Sequence, residues 1–202
     1  MGFEEFLEEV AAKGDVVNIV FEERLFKLVG ILQKIAQPLA AAKVPYEVVG
    51  GLAVLIHVEA ADPTHSVLTR DVDIMIRRSD LGRVIAIAES EGFKFRHVAG
   101  VDMLLYGGKA LNAIHLLFSE EKVKPSQAIP NPPLSPERKK IQGEEACVMP
   151  VADLVQMKLS ANRLKDRVHI QSLDAAGLIT AEMERGLPDA LRTRLHQVRE
   201  TE

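Results

Sequence analysis

One stretch of the sequence, residues 46–76, restricts the fold more than any other. It opens with a short apolar run that ends at the pair Gly50-Gly51, and a helical pattern of apolar residues follows. A polar loop then leads into a second apolar run, in which Asp71 and Asp73 occupy alternate positions. This order predicts a strand, a glycine turn, a helix, a loop and a strand, which is an α+β unit.

The two aspartates carry the first indication of chemistry. Residues two apart in a strand share a face, roughly 7 Å from one another along the chain, so these carboxylates would project together. The apolar residues 74–76 follow directly, as in a buried strand. Two acids at the mouth of such a strand repel each other and lose hydration unless a cation joins them. Mg²⁺ with a phosphate at the glycine turn meets that need, whereas a solvated strand face is the alternative.

The remainder of the chain is predicted to alternate between helices and strands, with a proline-rich interruption. The predicted elements cover residues 3–14, 20–42, 46–49, 52–58, 67–76, 79–91, 93–98, 101–106, 110–118, 146–149, 151–170 and 173–178, with two more helices to the end. Pro38 is expected to bend or divide the second helix, and residues 122–143 are expected to form an extended connector. We expect N-terminal helices that pack on the core (1–45), an α/β core (46–149) and a C-terminal helical part (150–202).

A lysine interrupts the apolar face of the helix predicted after residue 150. At about 100° per residue, Lys158 falls near the centre of the apolar arc, and Lys165 falls on nearly the same line. Such a lysine either extends to solvent or meets an anion, and one anion that suits a cleft is a phosphate. Asp166 is expected to form a surface pair with Arg163, three positions earlier. The apolar arc comprises Val151, Leu154, Val155, Leu159, Ala161 and Leu164.

The bulk composition is that of a globular protein without a global basic field. The chain has 202 residues, of which 47% are hydrophobic, and a formal net charge of −4, so nothing recruits nucleic acid over the whole surface. The single cysteine, Cys147, excludes an intrachain disulfide and is typical of a reducing compartment. The N-terminal residues lack the features of a signal peptide, and no apolar run reaches the length of a bilayer span. We therefore expect a cytoplasmic protein without a membrane partner.

These motifs together resemble the nucleotidyltransferase superfamily of polymerase-β-like fold. The glycine pair closes a strand, a helix follows, and Thr69-Arg70-Asp71-Val72-Asp73 matches the Thr-x-Asp-x-Asp pattern of that family. The tract Asp153-Leu154…Lys158-Leu159…Arg163-Leu164-Lys165-Asp166 resembles the helix after the catalytic sheet. The nearer resemblance is to minimal and toxin-type bacterial nucleotidyltransferases, and it spans residues 46–178. It implies a mixed β-sheet flanked by helices, with a C-terminal helical part.

The resemblance also implies a site for a nucleoside triphosphate, such as ATP, with Mg²⁺. The two glycines would hold the triphosphate through backbone N–H groups, the two aspartates would bind the metal, and the lysine would lie near the phosphates or the acceptor. The acceptor hydroxyl is left open among protein, tRNA and small molecules. The residues implied are Gly50, Gly51, Thr69, Arg70, Asp71, Asp73 and Lys158.

The sequence departs from the family pattern at the third acid. His115 stands where a later strand usually supplies a carboxylate that binds metal and activates the acceptor. A neutral imidazole is a poor Mg²⁺ ligand, but it can accept a proton near pH 7. His115 could also mark a degenerate site or be a plain core histidine, and Asp102 on the neighbouring strand could serve instead. Val67 stands where many relatives carry arginine, so the resemblance does not extend to the phosphate or acceptor contact of that arginine.

Two other functions compete with nucleotidyl transfer. One is a metal-dependent hydrolase that uses Asp71 with His57, His65, His97 or His115, but no HxxxH, HExxH or His-Asp motif supports it. The other is a nucleotidyltransferase-fold protein with weakened chemistry that binds a partner, for example as half of a toxin–antitoxin pair. The histidine at position 115 favours this second function, whereas the intact glycine pair and paired acids oppose it.

Overall fold

In the part of the chain that the structure describes, seven strands assemble into one mixed sheet. The computed structural model describes residues 23–108, 113–141 and 143–201, so the helix predicted at residues 3–14 lies outside the described residues. The main elements are α1 (residues 23–41), β1 (Glu47–Val49), α2 (Gly50–Ala61), β2 (Val72–Ile76), α3 (Leu81–Ser90), β3 (Phe93–Val98), β4 (Val101–Tyr106), β5 (Ala113–Phe118), β6 (Glu137–Ile141), β7 (Glu144–Val148), α4 (Val151–Ala161), α5 (Leu164–Ala175), α6 (Ala181–Gly186) and α7 (Asp189–Arg199).

The order of strands in the sheet is β3-β4-β5-β2-β1-β7-β6. The pairs β2/β5 and β1/β7 are parallel, and the other neighbours are antiparallel. The two central strands, β1 and β2, are almost completely buried, because both faces of a central strand are covered by other elements. The mixed sheet with flanking helices confirms the predicted α+β class.

Helix α2 is buried along most of its length because its sequence is apolar on all sides. Residues 51–58 are all buried, and α2 contacts β1, β2, α4 and α5. Helix α1 adds Leu32, Ile35 and Leu39, each with no exposed surface, to the same core. Burying one such side chain is worth about 1.5–3 kcal/mol. This packing fixes the start of α2 against the ends of the central strands.

Pro38 does not divide helix α1, and the proline-rich segment is not irregular throughout. Helix α1 continues through Pro38 to residue 41, because the proline lies in the last turn, where one lost backbone hydrogen bond interrupts little. The proline-rich connector is irregular only as far as residue 136, since Glu137–Ile141 pairs with β7 as the edge strand β6. Antiparallel pairing with β7 satisfies the backbone hydrogen-bonding groups of this segment. The prolines precede the segment, so they do not interfere with the pairing.

The helix predicted over residues 151–170 is divided. Asn162 ends α4 with φ at 49°, a left-handed conformation that asparagine adopts more readily than most residues. Helix α5 then begins at Leu164, whose side chain is 82% exposed instead of continuing the apolar arc. Over the described ranges, no helix combines the length and the apolarity needed to cross a bilayer.

Candidate functional site

A cleft of about 860 Å³ opens at one end of the central strands. Its walls come from the β1–α2 junction, the loop before β2, strand β5, the tip of the β3–β4 hairpin, the connector after β5, and helices α4 and α5. All of the residues that the sequence singled out as catalytic, nucleotide-binding or metal-binding line this cleft. They are Gly50, Gly51, Thr69, Arg70, Asp71, Asp73, His115 and Lys158.

The glycine pair is required by its surroundings. Gly50 has φ at +71°, and a Cβ atom there would lie 2.0 Å from Asp73 Oδ2. A Cβ atom on Gly51 would lie 2.5 Å from Thr69 Oγ1 and 3.3 Å from His169 Cε1. The backbone of this turn therefore approaches the loop before β2 and helix α5 as closely as only glycine permits.

The same glycines begin helix α2. No side chain of the described residues caps this terminus, and its first turn contains no acidic residue. The first N–H groups of a helix have no partner within the helix, and the helix dipole makes this end attractive to anions. The start of α2 thus faces the cleft with backbone donors that suit a phosphate group.

The register of the sheet brings Asp73 and His115 together. Asp73 pairs with His115 across the parallel β2/β5 ladder, and with Val49 across the antiparallel β1/β2 ladder. Asp73 Oδ1 and His115 Nδ1 are 3.1 Å apart, so the imidazole donates to the carboxylate when Nδ1 carries the proton. The hydrogen bond raises the pKa of His115 against the lowering effect of burial, and Asp71 adds attraction. Asp73 Oδ2 is turned toward Gly50.

The segment before Asp73 is a loop, whereas the sequence predicted a strand from residue 67. Strand β2 begins only at Val72, and residues 67–71 have no regular structure. Thr69 is buried and its hydroxyl lies 3.4 Å from the carbonyl oxygen of Asp71, whereas Arg70 is exposed. Both Asp71 and Asp73 are half-buried at the cleft, one on each side of the first residue of β2.

Lys158 meets an anion from its own chain. Its side chain is buried, and Nζ lies 3.3 Å from Asp166 Oδ1. Burial lowers the pKa of Lys158, while Asp166 and Asp73 oppose that shift through their negative charges. The lysine therefore lies at the floor of the cleft, held by one acid and attracted by a second.

Asp166 is the centre of this ionic cluster. It is 0% exposed, and Arg163 donates to it from the backbone N–H at 3.1 Å, from Nε at 2.6 Å and from Nη2 at 3.1 Å. Burial acts to raise the pKa of Asp166, but the hydrogen bonds from Arg163 and the positive charges of Lys158 and Arg163 together lower it. The predicted surface pair with Arg163 has the expected spacing, but the acid is buried because α5 turns it inward against α4.

His169 also lines the cleft, although it belongs to none of the sequence motifs. It lies three positions after Asp166 on α5, on the same helix face, and that spacing was the available signal. The side chain is 6% exposed, and Nδ1 has no hydrogen-bond partner among the described residues. Burial, with Lys158 adding repulsion, lowers its pKa to about 4, so His169 is neutral at pH 7.

Asp102 does not replace the missing third acid. It pairs with Leu116 across the β4/β5 ladder, one position beyond His115, so its side chain lies on the opposite face of the sheet. There it accepts a hydrogen bond from Arg78 at 3.3 Å and pairs with His97 at 2.6 Å. The other histidines considered for a hydrolase, His57 and His65, are also outside the cleft lining.

The donor set at the cleft suits a hard metal ion that a substrate helps to hold. Within the described part of the chain, no group of three or more His, Cys, Asp or Glu side chains is arranged to hold a metal. Asp71 and Asp73 supply carboxylate oxygens, and the Oδ2 atom of Asp73 faces the turn where a phosphate would lie. Mg²⁺ is commonly bound by one or two carboxylates with substrate phosphates, so these residues fit it.

The fold is similar to that of solved nucleotidyltransferase-like structures. The solution structure of the antibiotic-resistance factor ANT(2″)-Ia is similar with a TM-score of 0.58 and 16% identity, covering 86% of this chain and 95% of that one. An antigenic nucleotidyltransferase-like protein from Paracoccidioides brasiliensis is similar with a TM-score of 0.56 and 15% identity, covering 87% and 88%. The Megavirus polyadenylate synthase is similar with a TM-score of 0.51 and 10% identity, covering 89% of this chain and 39% of that one.

No protein-family model matches the sequence, and no curated protein matches it. The similar structures include a nucleotidyltransferase-like protein and a polyadenylate synthase, and the chain has the nucleotidyltransferase fold. This confirms the fold that the sequence motifs implied. The similarity covers most of the chain at 10–16% identity, and at that level it shows the fold. It does not show the roles of individual residues, which follow only from the geometry of the cleft.

Proposed function

We propose that the protein transfers a nucleotidyl group from a nucleoside triphosphate to an acceptor hydroxyl. The observation that carries this proposal is the register of β1, β2 and β5, which places Asp73 between the glycine turn and His115. Backbone donors for phosphate, a carboxylate and a proton acceptor thereby meet on one side of the cleft. This is the combination that suits in-line attack on an α-phosphate.

The phosphates would be held by Gly50, Gly51 and Lys158. The glycines present backbone N–H groups at the start of α2, and the positive end of the helix dipole adds attraction. Lys158 is already desolvated and held by Asp166, so its charge is in place before a phosphate binds. Arg70 and Thr69 complete the set at the cleft wall.

Asp73 would use its two carboxylate oxygens for two tasks. The Oδ2 atom, turned toward Gly50, would bind Mg²⁺ with Asp71, and Oδ1 would orient the imidazole of His115. When bound, the metal supplies positive charge that stabilises the oxygens on the phosphorus. An imidazole held by a carboxylate through Nδ1 leaves Nε2 to accept the proton of an attacking hydroxyl. The new bond joins that oxygen to the α-phosphorus, and pyrophosphate leaves with the electrons of the broken bond.

The test is incubation of the purified protein with α-³²P-labelled ATP, GTP, CTP or UTP, Mg²⁺ and candidate acceptors. Transfer of label, with release of pyrophosphate, is expected for the wild type, and loss of more than about 100-fold is expected for Asp73→Ala. Protein, tRNA and aminoglycoside acceptors belong in this experiment, because one similar protein has been solved with adenylyl-2″-tobramycin and another is a polyadenylate synthase. Activity that is unchanged in Asp71→Ala and Asp73→Ala would contradict the site.

A second function, nucleotide binding without transfer, is favoured by one observation. Among the described residues, no third acid joins Asp71 and Asp73 as a metal-binding group, and Asp73 is joined to His115 instead. Such a protein would act as a binding component, for example in a toxin–antitoxin pair. Calorimetric titration of ATP with and without Mg²⁺ distinguishes the functions when combined with the labelling experiment. Mg²⁺-dependent binding with no transfer to any acceptor would support this second function.

A further inference from the structure

The mouth of the cleft is surrounded by exposed aliphatic side chains. Among the described residues, seven large hydrophobic side chains are exposed, and five of these line this one cleft. A sixth, Leu164, begins α5 directly beside the lining residue Lys165. Single exposed hydrophobic residues are normal, but their concentration at one site marks an interaction surface. The five lining residues are Leu68, Val98, Val101, Val123 and Val168.

These five residues come from four separate parts of the fold. Val98 and Val101 close the tip of the β3–β4 hairpin, where they face each other across the ladder and are 55% and 39% exposed. Leu68 belongs to the loop before β2, Val123 to the connector after β5, and Val168 to α5. Their convergence is therefore a product of the tertiary structure and not of one amphipathic element.

The exposed charges of the same cleft have one sign. Among the described residues that line the cleft, every exposed charged residue is basic, namely Arg70, Lys124, Arg163 and Lys165. The acids of the lining are less accessible, since Asp71 and Asp73 are half-buried and Asp166 is buried. The cleft mouth thus presents aliphatic surface among positive charges, while its interior contains the carboxylates. A polycationic ligand would meet repulsion on approach.

The geometry points to a docking surface for an acidic polypeptide segment with apolar side chains. Its carboxylates would pair with the basic residues of the mouth, and its apolar side chains would cover the aliphatic residues. Single-stranded nucleic acid also carries negative charge, but such sites stack bases on aromatic rings. The exposed hydrophobic residues here are aliphatic, and no Phe, Tyr or Trp is found among the described residues that line the cleft. The charge and the side-chain types therefore favour a polypeptide.

The experiment is selection of a random 12-residue peptide library on the immobilised full chain, followed by fluorescence anisotropy of the enriched peptides. We expect enrichment of Asp and Glu together with Leu, Ile, Val, Met or Phe relative to the starting library. Binding does not require Mg²⁺, a nucleotide or transfer, so this result is independent of the proposed enzymatic activity. Inactivity in the labelling experiment would leave the docking surface supported, and failure to enrich peptides would leave the enzymatic proposal standing.

The variant Val98→Ser/Val101→Ser removes the aliphatic tip of the hairpin, and Lys124→Glu reverses a charge on the connector. Each is expected to weaken an enriched peptide at least 5-fold, and the Lys124→Glu effect should shrink as salt is raised. The matched control is Phe26→Ser, because Phe26 is 71% exposed on α1 and lies outside the cleft lining. It should leave affinity unchanged.

Four results would overturn the proposal. Enrichment of basic peptides, or of none, would exclude an acidic polypeptide. Equal loss in Phe26→Ser would show that binding lies elsewhere. A labelled 20-nucleotide RNA that binds more tightly than any selected peptide, and loses affinity in Lys124→Glu, would make the mouth a nucleic-acid surface. If light scattering shows a dimer that dissociates in Val98→Ser/Val101→Ser, a second copy of the chain would be the partner that covers the cleft mouth.

Discussion

Asp73 occupies the space that a side chain at position 50 would need, since a Cβ atom on Gly50 would lie 2.0 Å from Asp73 Oδ2. The glycine turn and the carboxylate are therefore one structural unit. A larger residue at position 50 displaces the carboxylate, and any movement of β2 changes the turn. This contact links the phosphate-binding part of the cleft to its metal-binding part.

The first prediction is that Gly50→Ala disrupts this unit. The φ of +71° costs an L-residue about 1–2 kcal/mol, and the clash with Asp73 adds to that cost. We expect a lower free energy of unfolding and a loss of nucleotide affinity of at least 10-fold, measured by urea titration and calorimetry. Gly82→Ala is the matched control, because Gly82 lies in α3 and a Cβ atom there would have no neighbour within 4 Å. That variant should gain up to about 1 kcal/mol of stability with unchanged affinity.

The second prediction concerns the two ends of the buried ion pair. Asp166→Asn leaves Lys158 buried without its anion and replaces one of the two oxygens that accept from Lys158 and Arg163 by an NH2 donor, so we expect a loss of about 3–5 kcal/mol in unfolding experiments. Lys158→Met keeps the volume and leaves Asp166 paired with Arg163, so its cost should be clearly smaller. Equal costs for the two variants would show that Arg163 contributes nothing to holding the acid.

The motifs predicted much of the site because they are local. The glycine pair and the two aspartates each form a short sequence pattern, and the spacing within each pattern indicates which groups lie close together. The family resemblance placed His115 at the position of the third acid, and the structure shows that this position lies opposite Asp73 in the parallel β2/β5 pair. These parts depend on backbone periodicity, which the sequence displays directly.

The remaining features depend on contacts between distant segments. The local pattern predicts a surface acid at Asp166, because nothing in it shows that α5 folds back on α4 after Asn162. Asp102 is a candidate third acid by sequence, but its register with Leu116 places it on the other face of the sheet. The aliphatic mouth is assembled from four segments far apart in sequence, so no window of residues contains it.

The third prediction is that two buried groups give opposite pH dependences. The pKa of His169 is about 4 in the folded chain and about 6.5 when unfolded, so the unfolded state binds the proton first as pH falls. Its contribution to stability is therefore lost between about pH 6.5 and 4, by about 3 kcal/mol at most. His169→Gln should remove this loss, which urea titrations across that pH range would measure.

Glu47 has the opposite effect on the free energy of unfolding as pH falls. Its side chain is 0% exposed, with Oε1 accepting from the Ser135 N–H and Oε2 without a partner among the described residues. Burial raises its pKa to about 7, so the folded state binds the proton first as pH falls and gains stability between about pH 7 and 4.5. Glu47→Gln should be more stable than the wild type above pH 7. A Glu47→Gln variant whose stability changes with pH between about 7 and 4.5 as that of the wild type does would contradict the assignment of Glu47.

The last prediction separates the two tasks of Asp73. The hydrogen bond to Asp73 is the largest cause of the raised pKa of His115, so Asp73→Asn should lower that pKa, as measured by NMR titration of the imidazole in the presence of EDTA. Asp71→Asn removes only a weaker, longer-range attraction, so it should lower the same pKa less. Both variants should lose Mg²⁺-dependent binding of ATP in calorimetry, because both carboxylates are expected to be ligands. A variant at Asp73 that keeps Mg²⁺-dependent binding but shifts the pKa of His115 would show that this aspartate orients the histidine without holding the metal.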